Sequence, residues 1–442
     1  MPDGSQLTSP FTMLPNTTTH TQQYPPAADA LCAIILAGGL GTRLRTAVPD
    51  MPKCMAPVDG KPFISYVIDY ARMQGVRELV FALGYKAEII KGYLAQEYPT
   101  LNYSTVIEET PLGTGGAIVL ALEQASAETV LVLNGDTLFE VDVPAALHLH
   151  QNKQSECTLN LKRLERFDRY GVVQADRDGK ILSFNEKKFY NEGCINGGVY
   201  LLNRAAFLRR SLPKSFSFEH EYLGHYFEEG MFYACEQKGY FIDIGIPEDY
   251  KKAGEDLKKQ VLHLEQADES WTLFLDRDGV INQELPGTYV MNWEQFAFCT
   301  GVLAAVSRLA LKFGRVIVVS NQRGVGRGLM NRETVESIHN RMREEFETAG
   351  GRIDAIYYCT EVEPTAFCRK PNPGMAVQAL RDFPGIDLRR SVMVGNKESD
   401  LAFGRAAGMF TILIKAPGDK SSPPLTPPDA VYASLAHFAR DL

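Results

Sequence analysis

The sequence predicts an α/β architecture in two domains, and three observations carry that expectation. Its 442 residues exceed what one ordinary hydrophobic core organises. From Leu31 onward, short apolar runs alternate with helix-length amphipathic segments, the pattern of a mainly parallel sheet with helices on both faces. Twice, near Leu36 and near Leu275, an apolar run ends abruptly in glycines and charged residues. Ligands of open α/β sheets sit at the carboxyl ends of strands, so two sites are expected.

Composition excludes several classes. With 46 basic against 54 acidic residues and a net charge of −8, no nucleic-acid surface is expected, and no basic run contradicts this. No apolar segment of about 18 residues is present to span a bilayer, and the N-terminus lacks the charged-then-apolar order of a secretory signal. A cytoplasmic protein without a membrane partner is expected. The eight cysteines follow no framework spacing, and most read as buried or incidental thiols.

Residues 1–30, rich in Thr, Pro, Gln and Ser, offer too little periodic apolar content to offset ordering entropy and predict a disordered leader. The segments LCAIILA, ISYVIDYARMQG, ELVFALG, EIIKGYLAQEY, GGAIVLALEQA and TVLVLNGD then carry the alternation of the first domain, residues 31–258. After LCAIILA comes Gly38-Gly39-x-Gly41-Thr42-Arg43, a backbone loop poor in Cβ atoms whose N–H groups can close on phosphate oxygens. It is not a Walker loop, which needs Gly-Lys-Ser/Thr, nor a dinucleotide fingerprint, because Leu44 stands where the third glycine belongs.

G-G-x-G-T-R-L followed by Pro52-Lys53 resembles the signature of the sugar-1-phosphate nucleotidyltransferases. The resemblance implies a GT-A-like, Rossmann-like domain with a mixed, mainly parallel sheet. It implies that Gly38, Gly39, Gly41 and Thr42 hold the nucleotide, while Arg43 and Lys53 stabilise charge as pyrophosphate leaves. In Leu112-Gly113-Thr114-Gly115, Gly113 and Thr114 would read the nucleobase edge; uridine-using relatives place Gln where Pro111 stands, and the base is left open. Asp136 in Asn134-Gly135-Asp136 and Asp243 in Asp243-Ile244-Gly245-Ile246-Pro247-Glu248-Asp249-Tyr250 would bind Mg²⁺. Gly171, the Glu186-Lys187 pair and Asn196 would contact the sugar phosphate.

Residues 259–270 form a charged linker, and the scarcity of apolar residues there predicts a modest interface between the domains. The second domain, residues 271–442, opens with a strand-like run and Asp276-Arg277-Asp278-Gly279. Ser320-Asn321-Gln322, Lys370 in Cys368-Arg369-Lys370-Pro371, and Gly395-Asn396-Lys397-Glu398-Ser399-Asp400 follow. In that order they resemble the four motifs of the haloacid dehalogenase (HAD) phosphatases. The resemblance implies a nucleophile in Asp276, an acid–base in Asp278, phosphoryl holders in Ser320 and Lys370, and Mg²⁺ on Asp276, Asp278 and Asn396. Asn396 departs from the aspartate of most relatives and weakens the metal site by one charge unless Asp400 compensates.

The intervals between the motifs leave no room for a cap domain, so a capless HAD-like site is expected. DRDGVIN, SNQxGVGRG and CRKPNPGM resemble the D-glycero-D-manno-heptose 1,7-bisphosphate phosphatases, with histidinol-phosphate phosphatases as rivals. Arg327 and Arg369 would then hold the non-reacting end of the substrate. Relatives often carry a zinc loop before the lysine; here Glu361 and Ala366 replace two ligands, only Cys359 and Cys368 remain, and no zinc is expected. Residues 415–428 are rich in Pro and Ser, and residues 430–442 read as an amphipathic helix.

The pairing of these families implies consecutive steps on GTP and heptose phosphates, giving a GDP-heptose precursor of a lipopolysaccharide or S-layer glycan. A homo-oligomer is compatible with the sequence. The alternatives are a mannose or glucose 1-phosphate nucleotidyltransferase fused to a phosphatase of other substrate, or to an inactive HAD-like binding module.

Overall fold

The computed structural model describes residues 21–23, 31–39, 44, 48–229, 231–258, 264–416, 418–419 and 422–442. The first sheet is built around Leu31–Ala37, which lies parallel between Val76–Leu83 and Thr129–Asn134. Tyr103–Ile107 extends one side in parallel. On the other side Tyr190–Asn203 runs antiparallel to Thr129–Asn134 and pairs with Cys157–Phe167, so the sheet is mixed. Leu31–Ala37 is apolar throughout because both its faces are covered: Ala33 and Ile35 enter one core, Cys32 and Ile34 the other. Helix Phe63–Met73 packs on the first face and Gly113–Leu122 on the second.

A short antiparallel pair decides the geometry of the first site. Phe241–Asp243 pairs with Thr137–Phe139 so that Asp243 faces Thr137, and Ile244 N donates to Asp136 O at 3.1 Å. Two aspartates far apart in sequence are thereby brought to one end of the sheet. Helix Pro247–Asp256 follows, with Pro247 in its first turn and Glu248 and Asp249 against its N-terminal dipole.

The second sheet is wholly parallel. Thr272–Leu275 lies between Arg315–Asn321 and Ser391–Gly395, and Ala355–Cys359, Phe410–Ile414 and Ala430–Tyr432 extend it. Its central strand is also buried on both faces, with Leu273 and Leu275 in one core and Phe274 in the other.

Three expectations are corrected here. Thr21–Gln23, placed by sequence in a disordered leader, forms a strand parallel to Ala355–Cys359, because an edge strand of the second sheet offers its ladder to any extended segment; the rest of residues 1–30 lies outside the described residues. Residues 430–442 are not one helix: Ala430–Tyr432 is a strand, and helix Leu435–Asp441 begins only after Ser434, whose hydroxyl accepts from His437 N. Cys359 and Cys368, read as thiols, are joined in a disulfide because the loop between them folds back on itself. Of the linker, residues 259–263 lie outside the described residues, and Leu264–Gln266 is a short 3-10 turn. Among the described residues no helix is long and apolar enough to cross a membrane.

Helix Phe63–Met73 and the start of the strand after it meet the second domain. Met73 packs into the core formed by Met375, Ala376 and Ala379, and Arg77 lies over the Phe367 ring at 5.8 Å.

Two candidate active sites

At the carboxyl end of the first sheet a cavity of about 300 Å³ opens between Ala37, Gly39, Lys53, Asp136, Arg169 and Asp243. Lys53, in the single turn Lys53–Met55, reaches both carboxylates, 2.7 Å from Asp136 Oδ2 and 3.1 Å from Asp243 Oδ1. Burial opposes its charge, but the two aspartates outweigh that and hold its pKa above the ordinary lysine value. A Cβ on Gly38 would sit 2.4 Å from Glu108 Oε1, so the Glu108 side chain, whose carboxylate also receives Leu112 N at 2.8 Å, lies against this loop. Gly41, Thr42 and Arg43 lie outside the described residues.

Gly113 has φ of +69° and opens helix Gly113–Leu122, a conformation that favours glycine. The Thr114 hydroxyl accepts from Phe218 N at 2.9 Å and so anchors this loop to the far side of the domain. Asn196 Nδ2 donates to Tyr200 Oη and Glu219, and its Oδ1 accepts from Gly198 N. Gly198 in turn crowds Asn134, two residues before Asp136, which places this network beside the carboxylates. Gly171 does not leave room for a sugar on its Cβ side: Asn185 O lies 2.4 Å from where a Cβ would be, so the glycine serves strand packing. Glu186 and Lys187 are exposed just beyond strand Ile181–Asn185. Arg169, which sequence reasoning missed, lines the cavity and pairs with Asp249 at 2.5 Å; its adjacency to Tyr170-Gly171 was the available signal.

The second site repeats a lysine between two aspartates, now buried. Lys370 Nζ is 2.8 Å from Asp276 Oδ1, 2.7 Å from Asp400 Oδ1 and 2.9 Å from Val319 O. Asn321 clamps the Lys370 backbone, receiving its N–H and donating to its carbonyl. Burial and the neighbouring Asp400 push the Asp276 carboxyl up, against the pull of Lys370. For Asp278 burial also raises the pKa, but Arg277 and hydrogen bonds from Asn282 and Gln322 outweigh it and hold the group below the usual carboxylate range. Gln322 Nε2 also reaches Ser320 Oγ at 2.8 Å, tying the two predicted residues together. Arg277 is fully buried and donates to His339.

Asn396 faces Gly279, whose φ of +89° and missing Cβ make room for the amide. Asn396 Nδ2 donates to Glu284 Oε2 at 3.1 Å, while Oδ1 is buried without a hydrogen-bond partner. An orphaned amide oxygen near an aspartate and a strand-end backbone is the hard oxygen set that Mg²⁺ takes, and the residues fit that ion. In the first site the two carboxylates fit it on the same chemistry. Among the described residues no group of three or more His, Cys, Asp or Glu side chains stands ready for a metal. Arg369 carries an unpartnered buried Nε and donates to Val362 O; burial, then the charges of Arg323 and Arg327, hold its pKa below the arginine value. Arg323 and Arg327 are thus close enough to act on Arg369, the residue before Lys370.

Two strand-end sites with a lysine between carboxylates, on two mainly parallel sheets, define an α/β protein with two centres suited to phosphate chemistry. The chain belongs to the nucleotidyl transferase family, whose model matches residues 32–260, and residues 367–438 match a HAD-hydrolase-like family. It is 44% identical over 229 residues to a D-glycero-α-D-manno-heptose 1-phosphate guanylyltransferase of Aneurinibacillus thermoaerophilus, covering 52% of this chain and 99% of that protein. It is 45% identical over 218 residues to the protein of the same name from Campylobacter jejuni, covering 49% of this chain and 96% of that one. A crystal structure of D,D-heptose 1,7-bisphosphate phosphatase from B. bronchiseptica, complexed with magnesium and phosphate, aligns with 39% of this chain and 97% of that chain at 31% identity and a TM-score of 0.35.

Proposed function

We propose that the chain carries out two consecutive reactions: hydrolysis of the 7-phosphate of D-glycero-α-D-manno-heptose 1,7-bisphosphate, then transfer of a guanylyl group from GTP to the retained 1-phosphate. The observation that carries this reading is the doubled lysine–diaspartate site. One copy lies in a domain at least 44% identical to heptose 1-phosphate guanylyltransferases, and the other is framed by HAD motifs and three arginines.

In the second site an Asp276 oxygen attacks phosphorus and the bond from phosphorus to the C7 oxygen breaks. This splits one hard displacement into two easier ones. Asp278 delivers the proton to the leaving alkoxide, then takes one from the water that releases orthophosphate and restores Asp276. Its depressed pKa suits the second role; a bound phosphate dianion raises its proton affinity for the first. Lys370 and Ser320 hold phosphoryl oxygens, and Arg323, Arg327 and Arg369 receive the 1-phosphate. Asp276, the Asp278 carbonyl and Asn396 Oδ1 would hold Mg²⁺, which would supply charge neutralisation.

In the first site a 1-phosphate oxygen attacks the α-phosphorus of GTP and the bond to the bridging oxygen breaks, releasing pyrophosphate. No covalent protein intermediate is needed. Lys53 and Arg43 stabilise the developing charge, Gly38 to Thr42 and Gly113 to Thr114 hold the nucleotide, and Asn196 and Lys187 orient the sugar phosphate. Asp136 and Asp243 would hold Mg²⁺, which screens the repulsion between the two anions.

The test is a coupled assay on the whole protein with the heptose bisphosphate, Mg²⁺ and each nucleoside triphosphate in turn. Orthophosphate, pyrophosphate and GDP-heptose with GTP alone are expected. Turnover of mannose or glucose 1-phosphate without any reaction of the heptose would overturn the reading.

A further inference from the structure

The two domains share a contact that reaches the phosphatase lysine. Arg72, in the last turn of helix Phe63–Met73, is 6% exposed although charged. Among the described residues it has no carboxylate within ion-pair distance; its Nη2 donates to Asn372 Oδ1, across the domain boundary, at 2.7 Å. Thr100 Oγ1 donates to the same oxygen at 3.2 Å. Through its Nδ2, Asn372 donates to Pro364 O and Ala366 O, both at 3.0 Å, and its own N–H returns to Arg369 O at 2.8 Å. One amide therefore closes the loop that runs from Pro364 to Asn372 and carries Arg369 and Lys370.

Lys370 lies two residues before Asn372, with Pro371 and Pro373 on either side of that asparagine limiting backbone freedom. A shift of the Asn372 amide must therefore pass into Lys370. A buried guanidinium left without its acceptor is costly, so Arg72 and Asn372 hold each other in register. No metal cluster stands among the described residues of this loop to do so instead.

We propose that Arg72 of the first domain is a positioning residue for the second active site, setting Lys370 through Asn372, so that phosphatase turnover depends on the docked transferase domain. The proposal rests on the phosphatase reading above. It is tested in the full chain with Arg72→Leu, Arg72→Lys and the milder Thr100→Val, measuring phosphatase kcat and KM, pyrophosphate release, and amide hydrogen exchange of residues 364–372.

Arg72→Leu is expected to lower phosphatase kcat about tenfold with KM within about twofold, since sub-ångström misplacement of a charged catalytic group acts on turnover. In Arg72→Leu exchange in 364–372 should quicken and pyrophosphate release from directly supplied heptose 1-phosphate and GTP should stay within about twofold, and Arg72→Lys should recover most of the phosphatase loss. Thr100→Val should show the same pattern at smaller size, and it decides the matter if Arg72→Leu does not fold. A kcat within twofold of wild type despite faster exchange would show the contact to be merely structural and overturn the proposal. Unchanged exchange overturns it as well, and does so even if the wild-type protein releases no orthophosphate, the result that defeats the phosphatase reading itself.

Discussion

The two sites use one charge pattern in two dielectric settings. Lys53 between Asp136 and Asp243 lies at an open sheet end, with side chains 16%, 34% and 26% exposed; Lys370 between Asp276 and Asp400 has 2%, 7% and 1%. The open triad can part to admit a nucleotide and metal, since water already screens its charges. The buried triad cannot rearrange cheaply, so it fixes Asp276 in one place. The reaction each site is proposed to run matches this: the first must bring together two mobile anions, and the second must aim one carboxylate at phosphorus.

The largest expected difference follows directly. Lys370→Ala leaves two buried carboxylates without their cation and should destabilise the second domain by ~3–5 kcal/mol, whereas Lys53→Ala should cost the first about 1 kcal/mol or less. Denaturant unfolding of the two variants checks this, and equal losses would break the comparison. Next, Asp276→Asn should reduce orthophosphate release from the bisphosphate by at least about 10³-fold while leaving pyrophosphate release unchanged when heptose 1-phosphate and GTP are supplied directly, because only the second site is read as forming a covalent intermediate. Separate assays of the two products decide it.

A smaller effect concerns the metal. Glu284 holds the Asn396 amide by its nitrogen and leaves the oxygen facing inward. Glu284→Ala should weaken Mg²⁺ binding at the second site about tenfold, read by calorimetry, with the first site unaffected. The smallest is in acid sensitivity. Burial holds His150 of the first domain down from 6.5 to about 4, and His339 of the second well below 6.5. The unfolded chain takes up these protons and the folded chain does not. The stability they contribute is therefore complete above about pH 6.5 and declines as pH falls, to about pH 4 for His150 and further for His339. Unfolding followed from pH 7 to 4 should show this decline, and His150→Gln should flatten it in the first domain only.

Much of this arrangement was legible because it is local. Strand runs such as LCAIILA and TVLVLNGD are buried on both faces and therefore apolar without a break, and the residues just beyond them stand at the strand ends by necessity. Asp136 and Asp276 stand just beyond such runs, whereas Lys53 and Lys370 were singled out only through the family motifs they complete. Asp400 was weighed only as a compensating charge, and nothing in its local sequence shows that it contacts Lys370. At Gly171 the sequence could not separate two uses, because a glycine required for close strand packing looks the same as one that a ligand approaches. Arg72 gave no signal at all, since a lysine or arginine in a helix's last turn ordinarily points to water.

By itself the sequence determined the two α/β units, the strand-end loops and the identity of the charges placed there, because side-chain period and turn chemistry act over a few residues. Only the tertiary structure decided which charges meet. Pairing of Asp243 with Thr137 sets the first triad, the closing of Lys370 onto Asp400 sets the second, and Arg72 docked on Asn372 joins the domains. Each joins residues distant in the chain, and such contacts are selected by the packing of whole elements rather than by any local preference.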